Sequence, residues 1–334
     1  MQKKRIPETE YLYSSARVRA LEGTLIGADK LEAAIMSKDA SETEDIIRSL
    51  SEGEGNSTGD ALGARIGKAY SFIESISPDE RSVSFLRYGY DCNNIKAALK
   101  CAARDKDPDD MLFSYGSVPA EKIKEMPITL DFSLLPANMS EAAREAYEEY
   151  AKTGDPQLVD IILDKACFAD MLASAVAFGE KFMIDLVKIK IDITNIMMCI
   201  RICRMGRSSS EMTLLSDSLI DGGKLDKAAL YAAVESGGED ALSALLLKTD
   251  YARIADLFDD GGETATLSDI ECACDNYYME AVRGAKYIPF GVSVLCAYLV
   301  ATEYEVKNLR IILAGKLAGL SPEVIKRRVR LSYV

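Results

Sequence analysis

Apolar residues recur at helical spacing along most of the chain, and this pattern predicts an all-α fold. Asp155-Pro156 and Ser321-Pro322 each place a capping side chain before a proline suited to the first helical position. Sequences typical of capping boxes precede four further apolar stretches, at Asp29/Glu32, Ser41/Glu44, Ser77/Glu80 and Ser268/Glu271. Glycine-rich composition predicts loops at residues 53–59 and 261–262.

Two short segments disagree with the helical pattern. Residues 187–193 (VKIKIDI) alternate strictly between apolar and polar, which by itself favours a strand. Residues 128–132 (ITLDF) lie between Pro127 and Pro136 and are expected to be extended.

An internal repeat decides between strand and helix for the first of these segments. Three sites share an acidic residue, two intervening residues, an asparagine and then a β-branched residue or leucine: Asp91/Asn94, Asp192/Asn195 and Glu305/Asn308. The sites are 101 and 113 residues apart, which is too far for a solenoid and indicates a triplicated domain. We therefore predict helical repeats at 1–115, 116–220 and 221–334, the last closed by the N-terminal helix. Because the third site lies in a plainly helical stretch, residues 187–193 are also predicted to be helical.

The acid and the amide of each site have two interpretations. At positions i and i+3 they share one helix face, where they could form hydrogen bonds that hold each repeat together. Alternatively, the three carboxylates could converge on a metal ion or a substrate, although no further ligands accompany them.

Composition excludes several classes of function. The net charge of −13 argues against nucleic-acid binding, and the absence of histidine excludes His-dependent catalysis and His-ligated zinc. The eight cysteines form no C-x-x-C pair and are interpreted as buried, reduced thiols. We see no signal peptide and no apolar run long enough to span a membrane, so we expect a cytoplasmic location.

No motif indicates catalysis or a cofactor. Residues 63–69 (GARIGKA) resemble a phosphate-binding loop but have the wrong glycine spacing and no hydroxyl for magnesium, so an ordinary helix is predicted. A carboxylate-based enzyme without histidine stays as an alternative that would need a deep cleft. A basic cluster near the C-terminus could either complement a helix dipole or contact an acidic partner; it comprises Lys326, Arg327, Arg328 and Arg330.

The sequence resembles the C subunit of the V-type (archaeal/vacuolar-type) ATP synthase, which is related to the d subunit of the eukaryotic vacuolar proton pump. The resemblance extends from about residue 11 to residue 330 and rests on four motifs: residues 13–22 (YSSARVRALE), 90–96 (YDCNNIK), 190–195 (KIDITN), and 289–291 (PFG) followed by 305–313 (EVKNLRIIL).

This resemblance implies a funnel or socket made of three helical repeats with pseudo-threefold symmetry. It implies a non-catalytic subunit of a rotary ATPase that translocates protons or sodium ions, peripheral on the cytoplasmic face of the membrane. Its partners would be the proteolipid rotor ring and the central shaft, formed by the D and F subunits, between which it transmits torque. A free-standing helical adaptor or scaffold protein would share the same composition and stays as the alternative.

Overall fold

The computed structural model describes residues 6–51, 55–258 and 265–334, which form helices and connecting segments and contain no strand. The all-α prediction is therefore confirmed. The α-helices of these ranges are α1 (Leu12–Glu22), α2 (Ala28–Ile35), α3 (Ala40–Leu50), α4 (Thr58–Ile76), α5 (Ser84–Ala102), α6 (Ala120–Thr129), α7 (Ala137–Thr153), α8 (Pro156–Phe178), α9 (Lys181–Met205), α10 (Ser209–Ser218), α11 (Lys227–Gly237), α12 (Glu239–Leu246), α13 (Ala252–Ala255), α14 (Leu267–Arg283), α15 (Val292–Leu317) and α16 (Pro322–Arg328).

The chain forms two compact units. One combines Met1–Glu80 with Asp250–Val334, and the other is Arg81–Thr249. In the first unit, α15 packs against α1, α2, α3, α4, α14 and α16. The first eleven residues of α15, 292–302, are all buried. Because this stretch is uncharged and apolar on every side, it is stable only when neighbours surround it, and α15 is the core of the unit.

In the second unit, α7 and α8 form an antiparallel pair, and α8 also packs against α5 and α9. The connection is short because Gly154 ends α7 with a φ of 68° and Asp155 begins α8 by accepting a hydrogen bond from the Gln157 N–H. Pro156 is the first residue of α8, as the sequence predicted. The prediction for Ser321-Pro322 is confirmed in the same way at α16.

The four predicted capping boxes are wrong. Helices α2, α3 and α14 begin earlier than predicted, with Gly27, Asp39 and Thr266 as their N-cap residues, and Ser77 ends α4. Polar residues are closely spaced in these segments, so several could cap. Asp39 and Thr266 cap with their side chains, which accept from the N–H groups of Glu42 and Asp269, whereas Gly27 begins α2 without a side-chain cap.

The two doubtful segments have different outcomes. Residues 187–193 lie within α9, so the prediction made from the repeat is confirmed. The extended prediction for 128–132 is wrong at its start, because α6 continues through Pro127 to Thr129 and ends at Leu130 with a φ of 55°. A proline in the last turn removes only one hydrogen bond of the helix, and the Leu130 N–H then closes on the Met126 carbonyl at 2.8 Å.

The predicted loops are only partly described. Residues 261–262 and 53–54 lie outside the described residues, and α4 already begins at Thr58.

Candidate functional site

The first acid–amide pair, Asp91 and Asn94, lies on α5 and is completely buried. Asn94 forms two hydrogen bonds with the backbone of Phe113: its Nδ2 donates to the carbonyl at 2.8 Å, and its Oδ1 accepts from the N–H at 2.7 Å. The Asp91 carboxylate accepts from the N–H of Ser117 at 3.1 Å and of Val118 at 3.0 Å. Together these bonds attach to α5 the segment that leads into α6.

The second acid–amide pair, Asp192 and Asn195 on α9, repeats this bonding. Asn195 donates to the Ile220 carbonyl at 2.8 Å and accepts from the Ile220 N–H at 2.9 Å. Asp192 accepts from the N–H groups of Lys224 at 2.9 Å and Leu225 at 3.1 Å. The spacing is the same in both pairs: the two residues bound by the acid follow the residue bound by the asparagine by four and five positions. The next helix, α6 or α11, begins two residues after the second of them.

The third acid–amide pair, Glu305 and Asn308 on α15, joins segments that are distant in sequence. Asn308 donates to the Arg330 carbonyl at 3.0 Å and accepts from the Arg330 N–H at 2.8 Å. Glu305 accepts from the Ile26 N–H and forms two hydrogen bonds with the Arg65 guanidinium, at 2.7 and 3.2 Å. Ile26 again stands two residues before a helix, α2, so the acid has the same role with donors from the N-terminal part of the chain.

These carboxylates are held by hydrogen bonds in a buried environment. Burial raises the pKa of Asp91, and the hydrogen bonds from Ser117 and Val118 oppose that rise. Burial likewise raises the pKa of Glu305, against the lowering effect of Arg65. Because N–H donors surround the oxygens, these acids are arranged for structural bonding. In the three described ranges, no group of three or more His, Cys, Asp or Glu side chains could hold a metal ion.

Two glycines, which the sequence did not single out, make room for the first two pairs. An ideal Cβ on Gly116 would lie 2.3 Å from Asp91 Oδ1, and one on Gly223 would lie 2.0 Å from Asp192 Oδ1. Each glycine stands three residues after the residue bound by the asparagine. The sequence does not reveal these glycines, because the residue bound by the asparagine follows it by 19 positions in the first pair and by 25 in the second.

The four residues of the basic cluster lie in two different environments, one of them buried and three exposed. Arg330 is buried, with its Nε 2.8 Å from Asp275 Oδ2 and its Nη2 3.2 Å from Glu271 Oε1, so its guanidinium is used inside the fold. The other three bases lie on exposed positions of α16: Lys326, Arg327 and Arg328. Lys326 pairs with Glu32 at 2.9 Å, and Arg327 lies 3.6 Å from Asp269.

The other candidates for a chemical role, residues 63–69 and the cysteines, are ordinary parts of the helical structure. Residues 63–69, which resemble a phosphate loop, lie in the middle of α4 as predicted. All eight cysteines are free thiols; seven are buried, as predicted, whereas Cys203 is partly exposed and departs from the prediction. Burial raises the pKa of Cys199 and of Cys274 to about 12, so these thiols stay protonated.

Within residues 6–51, 55–258 and 265–334, every helix is too short or too polar to cross a membrane.

Comparison with known proteins gives a consistent result. Residues 14–328 match the family described as ATP synthase (C/AC39) subunit. The C subunit of the V-type sodium ATPase of Enterococcus hirae is 25% identical, over 97% of this chain and 99% of its own length. The C subunits of the A-type ATP synthases of Methanocaldococcus jannaschii and Thermococcus kodakarensis are 24% and 26% identical, over 95% and 96% of this chain and 85% and 90% of their own lengths.

Proposed function

The chain belongs to the ATP synthase (C/AC39) subunit family, and from this premise we propose that it is the central-stalk coupling subunit of a rotary V-type ATPase or ATP synthase. In this role it links the shaft, made of the D and F subunits, to the proteolipid ring and transmits torque between them. It is peripheral on the cytoplasmic face of the membrane, where the ring holds it.

The observation that carries this proposal is the repeated bonding of the three acid–amide pairs. In each pair a long helix binds the backbone of a non-helical residue through its asparagine. In each pair the buried acid accepts from a segment that leads into another helix. This common pattern supports three related helical repeats, at 1–115, 116–220 and 221–334, in which the acids of the first two repeats bind N–H groups near the start of the next repeat. Glu305, which takes its donors from Ile26 and Arg65, supports a third repeat completed by N-terminal residues.

A coupling subunit needs stiffness, and these pairs supply it. Buried hydrogen bonds to a charged group each contribute about 1.5–3 kcal/mol, and breaking one leaves a buried donor or acceptor unsatisfied. They therefore fix the bound segments to the helices that carry the pairs. In this proposal the chain has no catalytic activity of its own, and the nucleotide chemistry belongs to other subunits of the complex.

A contact with the neighbouring subunits is proposed for the exposed bases of α16, Lys326, Arg327 and Arg328. Their positive charge stands on a chain whose net charge is −13, which favours an acidic partner. Arg330 is left out of this proposal because its guanidinium binds Asp275 and Glu271.

Reconstitution from purified parts tests the proposal. The full chain is mixed with detergent-solubilised proteolipid ring and with the D–F shaft, separately and together, and complexes are separated by size. We expect binding to both and a ternary complex. Failure to bind either partner would refute the coupling role and favour the free-standing adaptor.

A charge-reversed variant tests the α16 contact in the same assay. Changing Lys326, Arg327 and Arg328 to glutamate should weaken one of the two interactions and reduce its salt dependence. The matched control reverses three exposed lysines elsewhere, Lys122, Lys152 and Lys181, which are 58%, 63% and 85% exposed. Equal effects of both triple variants would mean that only net charge matters and would remove α16 from the interface.

A further inference from the structure

A groove runs along one side of α8, between α7 and the C-terminal end of α10, and lies entirely within the second compact unit. Its volume is about 670 Å³. Helix α7 lines it from Asn138 to Glu149, and α8 lines it from Leu158 to Ala169. Each stretch spans three helical turns, or about 16 Å. The groove is therefore long enough to hold a short helix lengthwise.

The floor of this groove is apolar. Leu158, Ile161 and Ile162 of α8 are only half-buried there, so their side chains stay accessible to a partner. Three alanines keep the groove deep because they fill little of it: Ala142, Ala166 and Ala169. The other sides of α8 pack against α5, α7 and α9. An apolar strip that stays open to solvent between polar walls is typical of an interaction site.

Acidic side chains form the rim of the groove. Five carboxylates line it against one base, Lys165: Glu141, Glu145, Glu149, Asp217 and Asp221. Two of these acids pair with lysines outside the groove, Glu149 with Lys152 at 2.7 Å and Asp221 with Lys227 at 2.6 Å. Three carboxylates then face a single lysine, so the rim is negative even after both pairs are taken out.

The neighbouring charges do not change the sign of the rim. Arg144 and Lys224 are the remaining bases of residues 137–178 and 209–227. The Arg144 guanidinium lies over the ring of Phe132, 6.0 Å from its centroid, and Lys224 does not line the groove. Glu148, exposed beside the rim on α7, adds a further negative charge.

An apolar floor between acidic edges matches the two faces of a basic amphipathic helix. Apolar side chains at positions i, i+3 or i+4, and i+7 of such a helix would enter the floor, while its lysines and arginines would reach the rim. An anionic lipid surface is disfavoured because the rim would repel it. A second copy of the chain is disfavoured because its basic helix, α16, has only seven residues and already buries Ile325 in its own fold.

We propose that the groove formed by α7, α8 and the end of α10 binds a basic amphipathic α-helix of a partner protein. Ile161 and Ile162 contact the apolar face of that helix, and Glu141, Glu145 and Asp217 contact its cationic side chains. The inference goes beyond the proposed function, because it assigns a binding site to residues that the coupling role does not use.

A designed peptide tests this proposal with the full chain. The peptide is made of leucine and lysine, about three helical turns long, with the leucines on one helix face, and its binding is followed by fluorescence anisotropy over a salt series. Changing Glu141, Glu145 and Asp217 to lysine should weaken binding by at least about 10-fold at low salt. Ala169→Phe, which fills the floor without changing the charge, should weaken it at every salt concentration.

Matched controls are available on the same chain. Asp110, Glu121 and Glu148 are exposed acids outside the groove, and changing all three to lysine gives the same net charge as the groove variant. Ala151→Phe places the same ring on an exposed position of α7 outside the groove. Both controls should bind the peptide much more tightly than the corresponding groove variants, and circular dichroism verifies that every variant is folded.

Two results would overturn the inference. Equal weakening by the two triple variants, or equal affinity for a scrambled peptide of the same composition, would mean that net charge alone attracts the peptide. A wild-type chain that sediments as a dimer, and as a monomer once the groove acids are reversed, would identify a second copy as the occupant. Because neither the shaft nor the ring takes part in these measurements, failure of this inference is distinguishable from failure of the coupling role.

Discussion

Replacing Gly223 with alanine should disrupt the hydrogen bonds of Asp192, the acid of the second acid–amide pair. The new Cβ would lie 2.0 Å from Asp192 Oδ1 and 3.0 Å from its Cγ, and contacts below 3.0 Å are essentially never tolerated. The carboxylate or the connecting segment must therefore move by about 1 Å in a close-packed interior. Asp192 is completely buried, so no solvent can compensate for the bonds it loses.

The expected cost follows from those bonds. Asp192 accepts from Lys224 N at 2.9 Å and from Leu225 N at 3.1 Å, and a shift of this size lengthens one or both beyond hydrogen-bonding distance. A hydrogen bond to a charged group contributes about 1.5–3 kcal/mol, so Gly223→Ala should lower the free energy of unfolding by about 2–5 kcal/mol.

Two measurements check this prediction. Urea denaturation followed by circular dichroism gives the free energy of unfolding, and amide hydrogen exchange at Lys224 and Leu225 reports on the bonds directly. Gly89→Ala is the control: Gly89 lies inside α5 and a Cβ there meets no atom within 4 Å. Since alanine favours a helix more than glycine does, this control should be neutral or more stable by up to about 1 kcal/mol. If Gly223→Ala has the same free energy of unfolding as the wild type, and the amides of Lys224 and Leu225 stay protected from exchange, this explanation of the glycine is refuted.

Three further predictions concern two buried carboxylates and the cysteines. Asp91→Asn should lower the free energy of unfolding by about 2–4 kcal/mol, measured by urea denaturation, because asparagine has one acceptor oxygen where the N–H donors of Ser117 and Val118 need two. The pKa of Glu305 is raised in the folded state. Its contribution to the free energy of unfolding is therefore complete below its ordinary pKa of 4.5 and declines as the pH rises above that value. Glu305→Gln should remove this decline when the free energy of unfolding is measured as a function of pH. In native protein, iodoacetamide should modify Cys203 first, because the other seven thiols are buried, as mass spectrometry would detect.

Each of these predictions has a clear contrary result. Wild-type stability of Asp91→Asn would show that the amide is accommodated by rearranged donors. An unchanged pH slope in Glu305→Gln would mean that Glu305 has the same pKa in the folded and unfolded chain. Modification of a buried thiol before Cys203, at native stability, would contradict the described burial.

Some features that depend only on residues close in sequence were predictable, although the four predicted capping boxes were not. The caps at Asp155-Pro156 and Ser321-Pro322 operate within one helical turn, so they mark helix starts wherever the chain folds. The helix at residues 187–193 needed the repeat as well, because its local alternation is typical of a strand. Buried packing of α9 against α8, α10 and α11 outweighs that local preference.

Partners of the buried polar groups depend on tertiary structure. The sequence predicted the acids and asparagines of the three pairs, but not Phe113, Ile220 and Arg330, which lie 19, 25 and 22 residues beyond their asparagines. Likewise, no local signal joins Glu305 to Arg65, 240 residues away, or distinguishes buried Arg330 from its exposed neighbours on α16. Helix periodicity and caps are short-range properties, whereas a buried charge takes its partners from whatever segments the fold brings within hydrogen-bonding distance, and connections of different length bring different residues there.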